Sequence, residues 1–339
     1  MTLPTALTAA VKKIFEDRGG KALEKTRNEI MLNFKDDSYI CETLRYFAEV
    51  TLRNALPVFP ALVSISCAAV GGDPEEASSF GMGILLIAGA ADLHDDVIDK
   101  SFLKNNKRTA LGKFGENATI LAGDILLVQG ITRLYGASGA VSKKQHEEIM
   151  SLVADAVLQI SSAETLETQL RGRLDLPPDE LHEVIRRKAV VPELTMRIGA
   201  ILGNGDSRSV DRMGEFGRTY GILSTMLDEF NDLLEINEFQ SRLEHECPPL
   251  PFLCAMQNPL VRTELLQLLK NKRTTRKNYE KVVVAVLGSR EVEGLKKELT
   301  GLVNEELRRI QAVPNMKARN ELELLLSASL ECLQTIGAF

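Results

Sequence analysis

Residues Gly81 to Asp99 read Gly-Met-Gly-Ile-Leu-Leu-Ile-Ala-Gly-Ala-Ala-Asp-Leu-His-Asp-Asp-Val-Ile-Asp. The run from Gly81 to Ala91 carries no charge, so a helix there is apolar nearly all round and belongs inside a large bundle, where neighbours cover every face. Past Ala91 the pattern changes. Asp92, Asp95, Asp96 and Asp99 stand at i, i+3, i+4 and i+7 and share one helical face. Like charges at that spacing repel, so something positive should sit on the stripe. A solvated acidic helix end is the plain alternative, but Val97 and Ile98 between the acids keep part of this helix buried. Hard oxygen donors so arranged suit Mg²⁺, which takes one or two carboxylates and fills its shell with water and phosphate oxygens.

Outward from this stretch, nearly every segment repeats apolar residues at i, i+3, i+4 and i+7, and period-2 alternation is nearly absent, which predicts a mostly α-helical chain. Ala61 to Val70, Ala118 to Val128 and Ile198 to Leu202 share the all-round apolar character and are expected in the bundle interior. Breaks are expected at Gly71 to Pro74, Asn105-Asn106, Gly136 to Gly139, Leu176 to Asp179, Gly203 to Asp206 and Cys247 to Pro249, which divides the chain into roughly ten helices. Asp73 before Pro74, with Glu75 and Glu76 following, reads as a helix start, and Pro178-Asp179-Glu180 reads as another. No linker or composition shift separates two halves, so residues 1–339 are read as one all-α domain.

Composition narrows the function. Of the 339 residues 44% are hydrophobic and 26% charged, enough for a core and a wet exterior. A formal net charge of −6 argues against a nucleic-acid partner, which would need a basic face. Five cysteines, odd in number and without a C-x-x-C pair, read as reduced buried thiols in a cytoplasm. Met1 to Phe15 lacks the continuous apolar core of a secretory signal. The longest apolar runs fall short of the ~20 residues a transmembrane helix needs.

A second acidic cluster, Asp228-Glu229-Phe230-Asn231-Asp232, lies far downstream in an apolar run that begins at Tyr220. Asp228 and Asp232 are one helical turn apart, and Glu229 is also one turn from Asp232. Two acidic stripes on different helices make a clamp in which metal ions bridge to a diphosphate. The metal-ligand candidates are therefore Asp95, Asp96 and Asp99 on one side and Asp228, Glu229 and Asp232 on the other.

These clusters and their flanks resemble the trans-isoprenyl diphosphate synthases, or polyprenyl synthetases. Asp95, Asp96 and Asp99 match that family's first Asp-Asp-x-x-Asp motif. Lys113-Phe114-Gly115 and Leu121-Ala122-Gly123-Asp124-Ile125-Leu126-Leu127 are similar to the stretch that follows it. Asp228, Glu229 and Asp232 match the second motif, with Glu replacing its second Asp. The likeness runs from about Tyr46 to Pro251 and extends more loosely into the helical C-terminal part. It implies an isoprenoid synthase helical bundle around a central cavity, usually homodimeric. Three Mg²⁺ ions between the motifs would pull on an allylic isoprenyl diphosphate as a leaving group, and isopentenyl diphosphate would attack the resulting cation. It makes Asp95, Asp96, Asp99 and Lys188 the catalytic candidates, Lys188 matching the lysine of a Lys-Thr pair.

Departures concentrate on the anion-binding residues. Where the family has Gly-Gly-Lys-Arg-x-Arg-Pro, this chain has Asn54-Ala55-Leu56-Pro57-Val58-Phe59 ahead of Pro60, with Arg53 as a nearby stand-in cation. In place of Arg-Arg-Gly after the first motif stand Lys104-Asn105-Asn106, then Lys107 and Arg108, and Leu111 replaces a histidine. A Lys presents a point charge and lacks the two-pronged fork with which Arg holds phosphate. Ala189 replaces the Thr after Lys188, Thr225 replaces a Gln before the second motif, and Glu246-Cys247 replaces a late Gly-Lys. Candidate substrate-binding residues are thus Arg53, Lys104, Lys107, Arg108, Lys188 and Thr225.

Three readings stay open. One is a chain-elongating prenyltransferase with an altered cradle. Another is a terpene-synthase-like lyase, or transfer to an acceptor without a diphosphate, because the second diphosphate has lost its cations. The third is a non-catalytic partner subunit, against which two full acidic clusters argue, since buried like charges are costly without a metal. Lys188 can also be read as a surface lysine of the Arg186-Arg187-Lys188 run, His94 as a packing residue, and Glu164 with Glu167 as a solvated face. Ala90 and Ala91, small residues one turn before the first motif, imply a pocket open to products of C20 or more.

Overall fold

The computed structural model describes residues 5–104, 107–137, 141–269 and 275–337. These form sixteen α-helices and one short hairpin: α1 (Thr5–Asn33), α2 (Tyr39–Val50), α3 (Val58–Ala69), α4 (Ser78–Ile98), the hairpin β1 (Leu103–Lys104) and β2 (Lys107–Arg108), α5 (Ala110–Phe114), α6 (Glu116–Gly136), α7 (Lys143–Leu170), α8 (Pro178–Lys188), α9 (Val190–Leu202), α10 (Ser207–Leu234), α11 (Ile236–His245), α12 (Leu250–Ala255), α13 (Pro259–Leu268), α14 (Arg276–Leu287), α15 (Arg290–Arg309) and α16 (Met316–Thr335). The all-α expectation holds. The break at Asn105-Asn106 and the end of the one at Gly136 to Gly139 lie outside the described residues.

The count exceeds the expected ten because several breaks carry no Gly/Pro cluster. Between α8 and α9 the cause is Pro192. It lacks the N–H that would bond the Lys188 carbonyl, and the helix is interrupted at Ala189. Gly115, at φ +80°, separates α5 from α6 in a conformation that only glycine adopts easily. The helix expected from Asp73 begins later, at Ser78. Asp73 accepts the N–H of Glu75 at 2.9 Å and caps a turn that comes before the helix.

The apolar runs are enclosed as read, with one correction. Residues 60–69 of α3 are buried throughout, as is most of α9, and the two helices pack on each other while α9 also lies along α10. Helix α4 lies along α6, and it joins two apolar clusters, with Ile84 in the larger and Leu85, Leu86, Ala90 and Leu93 in the smaller. Helix α6 is buried on one side only. Ala122, Gly123, Leu126 and Gly130 face inward, but Leu121, Val128 and Tyr135, spaced by sevens on one stripe, are exposed.

Among the described residues α7 is long and apolar enough, by length and composition, to cross a membrane. Its inner face nonetheless carries Val153, Ala156 and Ala163 against the protein, and it packs along α8 and α9 as a bundle helix does.

Close approach of α3 and α9 rests on Gly199. A Cβ there would stand 2.4 Å from the Val63 carbonyl oxygen and 2.8 Å from Ser66 Cβ, and helical backbone cannot give way cheaply. Gly199→Ala is therefore expected to destabilise the fold by about 2–3 kcal/mol, read as a lowered denaturant midpoint with an unchanged slope.

Candidate active site

A cavity of about 1040 Å³ runs between α4, α7, α9, α10 and the segment joining α2 to α3. Its floor is apolar, and the small residues Ala88, Gly89, Ala90 and Ala91 of α4 leave it room. Its polar lining comes from Asp92, His94 and Asp95 of α4, Glu164 and Thr168 of α7, Lys188 at the end of α8, Thr225 of α10 and the buried Tyr220 of α10; the part-exposed charges among them mark its mouth. Of the four aspartates read as one stripe, Asp92 and Asp95 line the cavity, while Asp96 is buried and Asp99 half-buried beside it.

Each stripe residue has a different environment. Lys104, delivered by the hairpin, lies 2.9 Å from Asp92 Oδ1 and 2.8 Å from Asp96 Oδ1. Burial pushes the Asp96 carboxyl up to about 6 despite this cation. Burial also opposes the charge on Lys104, but Asp92 and Asp96 outweigh it and hold the ammonium more basic than usual. Asp99 pairs with Arg171, whose Nη1 also donates to the Ile98 carbonyl at 2.8 Å. Asp95 has no ion-pair partner among the described residues. Burial first, then the carboxylates of Asp99 and Glu164, pushes it up to about 8.

Lys188 is no surface lysine. Its side chain is only 24% exposed, and its ammonium lies 2.8 Å from Glu164 Oε1 and in contact with Glu167. Burial disfavours its charge, but Glu167 and Glu164 overcome this and keep it protonated. The Glu164 and Glu167 pair, read as a solvated face, is instead half-buried and grips this lysine. The i, i+3 spacing was visible in the sequence; the direction in which the face points was not. His94 packs against α6, with Nε2 3.3 Å from the Ile120 carbonyl and 3.3 Å from Asp124.

Other expected cations are peripheral. Arg53 is exposed, 3.2 Å from Glu49, and does not line the cavity. Lys107 and Arg108 are exposed on β2. Where the family's basic loop was sought, Ala55, Leu56, Val58 and Phe59 form an apolar stretch of cavity wall.

The second cluster differs from its reading. Glu229 is buried, with Oε1 2.8 Å from Arg242 Nη2 and Oε2 accepting the Leu250 N–H at 2.6 Å. Asp232 also pairs with Arg242, through Nη1. Asp228 has no ion-pair partner among the described residues. Its side chain reaches solvent, yet the surrounding protein and then Glu229 push its carboxyl up to about 6. Burial raises Asp232 to about 7 against the pull of Arg242. Sequence reading missed Arg242 and Arg171 altogether, and it met Glu246 only as a departure from the family pattern.

Among the described residues no three carboxylate, histidine or cysteine side chains already stand together as a metal site, and in the first cluster only Asp95 is free of a cation, so a divalent ion there would draw Asp99 from Arg171. Asp95 and Asp99 are one turn apart, Asp95 is crowded by carboxylates, and oxygen donors of this kind are what Mg²⁺ takes. The second cluster does not offer three free carboxylates, because Glu229 has both oxygens engaged and Asp232 has one.

The polyprenyl synthetase family model matches residues 53–286. The chain is 28% identical over 180 residues to a short chain isoprenyl diphosphate synthase of Methanothermobacter thermautotrophicus, covering 53% of this chain and 54% of that protein. It is 25% identical over 234 residues to a chloroplastic geranylgeranyl pyrophosphate synthase of Capsicum annuum, covering 67% and 62%. The chain thus spans little more than half the length of these curated relatives. The geranylgeranyl pyrophosphate synthetase of Pyrococcus horikoshii shares the fold, with a TM-score of 0.82 at 19% identity over 94% of this chain and 98% of that one. So does a polyprenyl synthase of Caulobacter crescentus complexed with calcium and isoprenyl diphosphate, with a TM-score of 0.78 at 18% identity over 95% and 97%.

Proposed function

Because this chain belongs to the polyprenyl synthetase family, we propose that it is a magnesium-dependent prenyltransferase that ionises an allylic isoprenyl diphosphate and couples it to isopentenyl diphosphate. The observation that carries this is the long apolar cavity whose mouth is bounded by Asp95, Glu164 and Lys188. A prenyl tail belongs on the apolar floor and its diphosphate at the charged mouth. In this reading Asp95 and Asp99 would hold Mg²⁺, with Asp96 beside them and Asp228 on α10 as a further oxygen donor. Bound there, the metal would supply positive charge to the departing diphosphate.

The protein's own residues do the rest. Lys188, held by Glu164 and Glu167, presents a fixed ammonium to the diphosphate. Thr225 offers a hydroxyl from the cavity wall, and Lys107 and Arg108 stand on the hairpin as outer cations, with Arg53 farther away. Apolar walls keep water from a developing allylic cation. Residues 1–339 act as one domain, since α4 contributes to both apolar clusters. A second copy covers the exposed stripe of Leu121, Val128 and Tyr135 on α6, which makes the enzyme a homodimer.

One observation favours a second reading. Leu56, Val58 and Phe59 line the cavity where isopentenyl diphosphate would need cations, which suits an enzyme that ionises one diphosphate and cyclises or eliminates. Purified protein with Mg²⁺ and dimethylallyl, geranyl, farnesyl or geranylgeranyl diphosphate, each with labelled isopentenyl diphosphate, separates the two. Label in a longer diphosphate supports coupling. Diphosphate release with hydrocarbon or alcohol and no label supports the one-substrate reaction.

Metal dependence carries a pH signature. Asp95, Asp96, Asp228, Asp232 and Glu246 all have carboxyls raised by burial to between about 6 and about 8. Between their unfolded values and these, the native state holds more protons than the unfolded chain, so their stabilising contribution is full in acid and is lost as pH rises. The melting temperature in EDTA is expected to fall from about pH 4 to about pH 8, most steeply below about pH 6, where all five groups hold protons that the unfolded chain has shed. Mg²⁺ with inorganic pyrophosphate should flatten that slope, and an equal slope with and without metal would count against the site.

A further inference from the structure

The second carboxylate cluster already contains a cation, and it belongs to the chain. Arg242, on α11, is 5% exposed. Its Nη2 lies 2.8 Å from Glu229 Oε1, its Nη1 meets Asp232 Oδ2, and its Nε donates to the Cys247 carbonyl at 2.8 Å and lies 3.4 Å from Glu246 Oε2. The planar fork of a guanidinium is suited to hold two carboxylates at once, which an ammonium is not. The other Glu229 oxygen is closed off by the Leu250 N–H at 2.6 Å. A metal entering here would have to displace a buried arginine that is also tied to backbone.

The same contacts reach the first cluster. Gly172 N–H donates to the Glu246 carbonyl at 3.0 Å, and Cys247 Sγ lies 3.6 Å from the Glu167 carbonyl. The 246–250 segment is thereby laced to the end of α7. That end supplies Glu167, which grips Lys188, and Arg171, which holds Asp99. A continuous run of hydrogen bonds connects Glu229 and Asp232 to the mouth of the cavity.

We propose that Arg242 stands in for a metal ion on the second cluster, so that Glu229 and Asp232 lock the 246–250 segment and the α7 end in place. Divalent cation then binds through the first cluster, and Asp228 is the one carboxylate of the second that Arg242 does not hold. Arg242 is a positioning residue. This deepens the reading of the site as a metal-assisted diphosphate site and rests on it. It also departs from the three-metal arrangement that family resemblance implies, since one of the two clusters is already neutralised.

The test is Mn²⁺ binding to the full-length protein with inorganic pyrophosphate, followed by electron paramagnetic resonance, on the wild type, Glu229→Gln, Asp232→Asn and Asp95→Asn. Glu229→Gln and Asp232→Asn are expected to keep the wild-type Mn²⁺ count, below three per chain, and to change affinity by less than about threefold. Loss of a true ligand or its immediate support costs upward of about tenfold. A lost Mn²⁺ or a tenfold weaker one in either folded variant overturns the proposal. So does a wild-type count of three.

Asp95→Asn separates the two layers of the argument. If it binds Mn²⁺ like the wild type, the reading of the first cluster fails, while the Arg242 proposal is still decided by Glu229→Gln and Asp232→Asn. Arg242→Gln gives a second readout, because it opens the cluster. Its melting temperature should be lower than wild type and should recover with Mn²⁺ by more than the wild type gains. Recovery no larger than wild type would overturn the stand-in role. Should Arg242→Gln not fold, Arg242→Lys keeps one charge, frees an oxygen and is held to the same comparison.

Discussion

Asp95→Asn is expected to lower turnover of an allylic diphosphate by about 10²–10³-fold, the loss typical of removing one electrostatic contact to the charge that develops in the transition state. The same substitution should make the metal-free protein more stable. Asp95 is the first-cluster carboxylate without an ion-pair partner among the described residues, and burial with Asp99 and Glu164 raises it to about 8. At neutral pH the metal-free native state must hold a proton there that the unfolded chain has shed, a cost that the isosteric amide removes. A gain of about 1–3 kcal/mol is expected, on the scale by which one pKa unit corresponds to 1.36 kcal/mol. Asp96→Asn should gain less, because Lys104 offsets part of the burial cost there and holds the carboxyl to about 6. Thermal melts in EDTA beside steady-state rates in Mg²⁺ check the order of the two. A less stable Asp95→Asn would mean that the aspartate is a structural residue.

Ala88→Phe is expected to cut turnover of geranylgeranyl diphosphate by about 100-fold while changing that of dimethylallyl or geranyl diphosphate by less than about threefold, since steric discrimination in an apolar pocket spans roughly 10- to 200-fold. Ala88 is half-buried and lines the cavity on the same helix as Asp95, about two turns before it. A phenyl ring there fills space that only a long tail uses. Position 89 would not serve, because a Cβ on Gly89 meets the Phe47 ring at 3.1 Å and would push the helix rather than fill the pocket. Kinetics across C5 to C20 substrates read the effect. Uniform loss at every length would show that the substitution disturbs the helix itself.

The aspartate stripe was legible because four acids with helical spacing follow an uncharged run, and both patterns are local. Lys188 and Thr225 were reachable through their motif positions. Arg242 was not, since its carboxylate partners lie 10 and 13 residues away on another helix and nothing in the spacing of Arg242, Glu238 and Glu246 announces a turn of chain that folds it inward. The Glu164 and Glu167 pair had the right spacing, but no sequence pattern says which side of α7 meets α8. Arg53 was sought as a substitute cation by proximity in sequence, and the short 3₁₀ turn of residues 52–54 turns it outward toward Glu49. Helix number was underread because breaks such as the one at Ala189 are caused by a proline three residues later.

Isothermal titration of the wild type with a non-reacting prenyl thiodiphosphate of C20 length, in Mg²⁺ and again in EDTA, tests most directly whether the cavity and the Asp95 cluster form a metal-assisted diphosphate site. Saturable binding in Mg²⁺ that disappears in EDTA and in Asp95→Asn is the result expected. Equal binding in EDTA would contradict the metal's part, and no binding in Mg²⁺ at any length from C5 to C20 would contradict the substrate site itself and favour a non-catalytic partner of a related synthase.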